Sequence, residues 1–306
     1  MADEPISVAV LGPGGVGGLL AALLARAGCT VTVLAGEETS QAIAGHGLRI
    51  ESGRFGNFLV GVNATTRLTD PVDACFIAVK ATQLEEALKR VPAKVLGQGL
   101  VIPFLNGLDH VDRLREVYLP ASVVAATIRI ETTRVEPGLI RHTSPFASVE
   151  IAPAADNRAR VDPIVQHLKA AGLDVRVRDD ELPMLWDKFA LLEPLALLTT
   201  HERGNVGVVR TVRREDAVAL IDEVTAVAGA EGVAVDGEAI MRLMDSAPES
   251  MESSMLRDQA AGRALELDAI GGAVMRRAAK AGLAVPVTSR LVAELRARSP
   301  RSVTNG

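Results

Sequence analysis

Apolar residues along this chain recur with two different periods, and the change from one to the other divides it. Up to about residue 180, short runs rich in branched apolar residues alternate with stretches of helical spacing: ISVAVL (6–11), VTVL (31–34), ACFIAV (74–79), GLVIPF (99–104) and SVVAATIRI (122–130). Runs of this length and composition mark strands buried on both faces. In the first interval, Val16, Leu19, Leu20, Leu23 and Leu24 recur at i, i+3, i+4, i+7 and i+8. That is the stripe of an amphipathic helix, and Gly28 is placed to end it. A strand, a helix and a strand in close succession imply a right-handed crossover joining a parallel pair. Helical spacing over 82–90 and 108–117 continues the alternation, so the segment predicts a doubly wound α/β sheet. LIRHT (139–143), ASVEIA (147–152), a helical 158–171 and DVRV (174–177) are expected to complete its edge. Beyond Leu182 only helical spacing remains, including long segments over 211–231 and 257–281. Two domains follow from the pattern: 1–180, α/β, and 181–306, all-α.

Composition agrees and removes several function classes. A chain of 306 residues exceeds the usual size of a single core. Its net charge of −5 lacks the basic excess that sequence-independent nucleic-acid binding requires, and disfavours anionic membranes. The longest apolar stretch, LLAALLA (19–25), is too short to span a bilayer. The start, MADEP, has neither the basic residues nor the apolar run of a signal peptide, and RSPRSVTNG is a short polar tail. Cys29 and Cys75 are isolated, which fits a reduced, cytoplasmic protein. His46, His110, His142, His167 and His201 form no ligand spacing and are expected on surfaces or loops, so no metal is expected.

The segment GPGGVGG (12–18) carries the first candidate chemistry. Gly12-x-Gly14-x-x-Gly17 lies between a buried strand and a helix, the context in which this spacing binds a dinucleotide. The first glycine permits a tight turn, the second lets backbone N–H groups approach a pyrophosphate, and the third allows close helix–strand contact. Gly15 and Val16 at the helix start join them as candidate cofactor-binding residues. The first domain is therefore expected to be a Rossmann-type nucleotide-binding domain. After the second strand stand Glu37 and Glu38 with no local arginine. An acidic side chain there accepts hydrogen bonds from a ribose 2′-hydroxyl, which favours NAD(H), with Glu37 as the candidate.

Five further pieces, AVK (78–80), LNG (105–107), LWDKFA (185–190), ESSML (252–256) and LELDAIGG (265–272) with Val285-Pro286, occur in an order that resembles the ketopantoate reductase family. The resemblance spans nearly the whole chain. It implies reduction of the carbonyl of a 2-keto acid, 2-dehydropantoate in the best-known members, to the 2-hydroxy acid with NADPH, on the route to pantothenate. Carried over by position, it makes Lys188 the catalytic lysine, Glu266 the acid that positions substrate and lysine, and Ser254 a contact for the substrate carboxylate. Asn106 and Lys80 match residues beside the nicotinamide and its ribose. The chemistry is consistent: charge develops on a carbonyl oxygen as hydride reaches its carbon, and a positioned ammonium stabilises that charge and then donates a proton.

Against the family pattern, Leu192, Ala196 and Gly271 replace three asparagines that line the substrate pocket, which points to a smaller, less polar or differently shaped substrate. Gly36 replaces the arginine that meets a 2′-phosphate. The resemblance thus implies NADP(H) while the local residues favour NAD(H), and Arg49, Arg54 and Arg67 are candidates to fold back and supply the charge. The clusters Arg210, Arg213, Arg214 and Arg276, Arg277 are expected on solvated faces, and Trp186 as a packing anchor. The alternative from another class is a non-catalytic NAD(P)-binding redox regulator. Partners are expected to be a small 2-keto acid and, in some members of such families, a second copy in a homodimer.

Overall fold

The computed structural model describes residues 6–298, so MADEP and the polar tail fall outside the described residues apart from Arg298. The chain divides into two compact units, Met1–Leu105 with His110–Met184, and Asn106–Asp109 with Leu185–Gly306. The excursion of four residues from the first unit into the second has no counterpart in the apolar pattern.

The first unit begins β1 (Ser7–Leu11), α1 (Gly15–Arg26), β2 (Thr30–Leu34), α2 (Glu37–His46), β3 (Leu48–Ser52), β4 (Phe58–Val60), β5 (Asn63–Thr65) and β6 (Ala74–Ile77). It continues through α3 (Leu84–Leu88), α4 (Ala93–Leu96), β7 (Leu100–Pro103), α5 (His110–Val117), β8 (Ala125–Arg129), β9 (Thr132–Glu136), β10 (Leu139–His142), β11 (Ser148–Ala152), α6 (Arg158–Ala170) and β12 (Asp174–Val177). Five strands form a wholly parallel sheet in the order β5-β2-β1-β6-β7. The apolar runs 6–11, 31–34, 74–79 and 99–104 supply its four longer strands, and residues 74–77 are buried throughout. This is the expected Rossmann-type arrangement, with loops after β1, β2 and β6 at the carboxyl ends of adjacent strands.

Of the later strands, the β8 segment continues from the edge strand β7 only through one parallel bridge, Val101 to Val123, with the Val124 N–H bonded to Val101 O at 2.9 Å. β4-β3-β10-β9 and β12-β11-β8 are separate mixed sheets, each with one parallel pairing. The physical sign was in the alternation: β3 reads buried, exposed, buried, half-buried, buried, as expected of a strand with one wet face. Helix α1 packs against β1 and β2 and also against β3, β4, β9 and β10. Every residue from Gly17 to Leu24 is consequently buried, so α1 is apolar all round and the five-residue stripe understates it.

The second unit is helical wherever it is described: α7 (Glu181–Glu202, its first turn in the first unit), α8 (Val206–Val212), α9 (Arg214–Ala230), α10 (Gly237–Ser246), α11 (Ser254–Ala260), α12 (Gly271–Ala281) and α13 (Pro286–Arg298). α9 packs against α8, α10, α12 and α13. The long helix expected over 211–231 is interrupted at Arg213. The one expected over 257–281 is two helices joined by ten residues, 261–270. α11 ends in a Schellman turn: Gly262 adopts φ +65°, its N–H bonds to Gln259 O at 3.0 Å, and the Arg263 N–H reaches Asp258 O at 2.8 Å. The apolar spacing of LELDAIGG suits a helix, but the glycine stops one, and the loop it creates carries Glu266.

Three of the five histidines are buried, contrary to expectation: His110, His142 and His201. His142 bonds to Ser52 Oγ at 2.8 Å and Ser144 Oγ at 3.0 Å, and His201 lies between Glu202 and Glu294. Hydrogen-bond partners make such burial affordable in ways that spacing along the chain does not reveal. Both cysteines are free and buried, and burial pushes their thiols up to about 11 for Cys29 and about 12 for Cys75. No helix among the described residues is long and apolar enough to cross a membrane.

Candidate active site

In the first unit the glycines separate by what a side chain would meet. Gly12, at φ +88°, would drive a Cβ to 2.5 Å from Val79 Cγ1, and a Cβ on Gly17 would stand 2.2 Å from Gly12 O. Those two hold the turn and the helix start together. A Cβ on Gly15 would meet Thr132 Oγ1 at 2.7 Å, and one on Gly18 would meet Ile140 Cδ1 at 2.7 Å. These glycines let α1 approach the second sheet, a packing role the motif did not disclose. Of the five glycines in 12–18, Gly14, the N-cap of α1, is the one that faces open space, with nothing within 4 Å. A pyrophosphate fits there, against the first N–H groups of a helix whose first turn carries no acid. Val16 is half-buried against the core. Lys80 follows β6 and starts the short turn 81–83. The strand register that pairs Leu11 with Ile77 and with Leu34 puts Lys80, the glycine loop and Gly36 at the same end of the sheet.

Glu37 and Glu38 occupy the exposed first turn of α2, where Glu37 accepts a 2.7 Å bond from Gln41. Among the arginines expected to fold back, Arg54 is committed to Asp174 and to the carbonyls of Pro145 and Gly172. Arg49 belongs to β3, in the second sheet. Arg67 is exposed just beyond β5. The cation beside Gly36 is instead Arg90, which reading the sequence missed.

In the second unit, three segments distant in sequence meet. Lys188, half-buried on α7, donates from Nζ to Asn106 Oδ1 at 3.1 Å, and Asn106 Nδ2 donates to Glu266 Oε2 at 3.3 Å. The amide is polarised correctly on both sides, its carbonyl toward an ammonium and its NH₂ toward a carboxylate. Glu266 is only 2% exposed, so its buried carboxyl oxygens call for hydrogen-bond donors such as this one.

The loop 106–109 is seated by its neighbours. Gly107, at φ +100°, passes so close to the 261–270 loop that a Cβ would lie 2.5 Å from Ala269 O. Asp109 receives Arg276 at 2.7 Å and also pairs with Arg277. These partners hold the Asp109 carboxyl below the usual carboxylate range even though its burial works the other way. Arg277 lies 3.1 Å from Glu231, which also accepts a 2.9 Å bond from Trp186 Nε1. Trp186 precedes Lys188 by two residues, so the lysine's own helix braces the loop that presents Asn106. Arg277 is therefore not on a solvated face, and Arg210 and Arg213 are half-buried against the Met244 and Ala247 carbonyls and against Glu202 and Asp216, whereas Arg214 is exposed, as expected, and paired with Asp245. Trp186 is fully buried, as a packing anchor should be.

Ser254 is the first residue of α11 and half-buried, and among the described residues no hydrogen bond joins it to Lys188, Asn106 or Glu266. Its neighbour Ser253 caps that helix, accepting from the Leu256 N–H at 3.0 Å, and is bonded to Thr199 at 2.7 Å. Leu192 is half-buried one turn beyond Lys188, and Ala196 is buried a turn further on. Gly271 opens no space: a Cβ would meet Val292 Cγ2 at 2.3 Å, so helix α13 has filled what an asparagine would need. Glu193, one residue past Leu192, is fully buried, and its carboxyl is pushed up to about 8 by burial. An acid inside the apolar run LLEPLALL was the signal that could have marked it. Among the described residues no group of three or more His, Cys, Asp or Glu is gathered as a metal site requires.

The chain is similar to known proteins over nearly its whole length. The family described as ketopantoate reductase PanE/ApbA matches residues 8–156, and its C-terminal counterpart matches residues 181–299. A 2-dehydropantoate 2-reductase of Mycobacterium tuberculosis (strain ATCC 25618 / H37Rv) is 32% identical over 308 aligned positions, covering 95% of this chain and 97% of the relative. The crystal structure of a PanE/ApbA family ketopantoate reductase from Ralstonia eutropha JMP134 superposes with a TM-score of 0.86 at 29% identity, covering 95% of this chain and 98% of that one. The ternary structure of D-mandelate dehydrogenase with NADH and anilino(oxo)acetate shares the fold, with a TM-score of 0.89 at 22% identity and coverage of 95% and 98%.

Proposed function

The chain belongs to the ketopantoate reductase family, and we propose that it reduces a 2-keto acid to the 2-hydroxy acid with NAD(P)H, with Lys188 as general acid. The observation that carries this reading is the Asn106 amide bridging Lys188 and Glu266 from three separate segments. The glycine loop would hold a nicotinamide dinucleotide, which when bound would supply hydride chemistry. Lys188 Nζ stabilises the charge growing on the carbonyl oxygen and gives it a proton, then regains one from solvent. Asn106 Oδ1 keeps the ammonium aimed, and Glu266, through Asn106 Nδ2, fixes which way the amide faces. Ser254, at the start of α11, is suited to donate to the substrate carboxylate.

Leu192 and Ala196, on the same helix face as Lys188, support a substrate with a less polar side chain than that of 2-dehydropantoate. Gly271, packed on Val292, contributes no added room. Steady-state oxidation of NADH and NADPH with a panel of 2-keto acids, 2-dehydropantoate included, tests the reading. Turnover is expected with at least one apolar 2-keto acid, falling on the order of 10²–10⁴-fold in Lys188→Ala while nucleotide binding persists. Full activity in that variant defeats the mechanism. Tight nucleotide binding with no turnover of any acid favours the redox-regulator reading instead.

A further inference from the structure

We infer that Arg90, brought to the end of β2 from the end of α3, is the receptor for a cofactor 2′-phosphate and makes this a protein selective for the 2′-phosphorylated dinucleotide. The inference rests on the nucleotide-binding reading of the glycine loop. In a Rossmann-type unit, the residue that decides between a 2′-hydroxyl and a 2′-phosphate stands about twenty residues beyond the glycine turn, after β2. Here that position is Gly36, which brings no side chain.

Arg90 Nη2 lies 4.0 Å from where a Gly36 Cβ would be, the nearest atom to that position. Its Nη1 donates to Ala35 O at 3.0 Å and to Thr66 O at 2.9 Å, the carbonyls that follow β2 and β5. The backbone is tied to the same place, since the Leu68 N–H bonds to Arg90 O at 2.8 Å. One edge of the guanidinium is thus fixed by the protein, while Nη2 and Nε have no hydrogen-bond partner among the described residues. Arg90 is half-buried, so its charge is held in place and weakly hydrated, a suitable state for a planar fork meeting a phosphate. Glu37, the residue that would favour a hydroxyl, is turned along α2 to Gln41.

Binding of 2′,5′-ADP and of 5′-AMP, measured by calorimetry on the full chain, tests this without reference to any keto acid. The native protein is expected to bind 2′,5′-ADP at least tenfold more tightly. In Arg90→Gln that preference should vanish while 5′-AMP affinity is unchanged, and G36R added to R90Q should restore it. Gly36 can accept an arginine, its φ of −66° being ordinary for any residue. Equal affinity for the two nucleotides in the native protein, or a matched loss of both in R90Q, overturns the inference and leaves Arg90 a strut between β2 and β5. Failure of both nucleotides to bind overturns the nucleotide-binding reading as well, whereas failure to reduce any keto acid leaves the Arg90 result standing.

Discussion

The glycine loop of the first unit and the lysine site of the second are built by opposite means. The loop is made of missing side chains within seven consecutive residues, and its precision comes from backbone packed on backbone, as where a Gly17 Cβ would collide with Gly12 O. The lysine site is made of three side chains separated by 82 and 160 positions, held by hydrogen bonds of 3.1 and 3.3 Å. A short local motif can encode the first. The second needs a folded scaffold, and its supporting parts, Gly107, Asp109, Arg277 and Trp186, carry as much of the geometry as the lysine itself. What the two share is reliance on a glycine at a point of close approach.

That shared reliance is the place to break the comparison. Gly107→Ala should have the largest effect. Its φ of +100° and the contact with Ala269 O both penalise a side chain, the backbone conformation alone by about 1–3 kcal/mol. We expect lower thermal stability and a fall of at least tenfold in kcat, because Asn106 is displaced from Lys188 and Glu266, with nucleotide affinity unchanged. Activity retained at the native level would show that the amide bridge is dispensable.

Gly17→Ala and Gly14→Ala sharpen the comparison within the loop itself. Overpacking at Gly17 should destabilise the protein by about 1–3 kcal/mol and weaken NADPH together with it. At Gly14 the melting temperature should hold, since a Cβ meets nothing, while NADPH affinity falls several-fold. Parallel losses of stability in the two variants would contradict the division of roles.

A further effect, confined to the second unit, depends on pH. Glu193 is fully buried, accepts from Thr288 Oγ1 at 3.1 Å, and lies near Glu223, whose carboxylate accepts the N–H groups of Val287 and Thr288 at the start of α13. Burial and the Glu223 charge raise its carboxyl from 4.5 to about 8, so the folded chain holds a proton that the unfolded chain releases. Its contribution to stability is complete below about pH 4.5 and is lost progressively as pH rises toward 8. Glu193→Gln should therefore be more stable than the native protein at pH 8, with the difference shrinking toward pH 5. Denaturant titrations at the two pH values measure this, and an unchanged slope of stability against pH would place the charge elsewhere.

Much of the fold was legible because buried parallel strands announce themselves as continuous apolar runs, as ACFI does. Strands β3, β4 and β9 were not, since they carry no continuous apolar run and their sheet packs on α1. The helix expected over 257–281 failed at Gly262, where a left-handed residue outweighed an apolar spacing that otherwise suits a helix. Arg277 resembled a solvated charge because its partners, Asp109 and Glu231, are 168 and 46 positions away.

By itself the sequence determined the division into an α/β and an all-α part, the glycine-rich turn between the first strand and the first helix, and the family. These follow from local periodicity, from backbone freedom that only glycine gives, and from the order of short motifs. The tertiary structure alone decided that Asn106 travels with the helical unit, that Gly271 leaves no opening, and that Arg90 rather than a neighbour of Gly36 stands at the end of β2. Each of those depends on which distant atoms occupy a given few ångströms, a quantity fixed by packing and not by spacing along the chain.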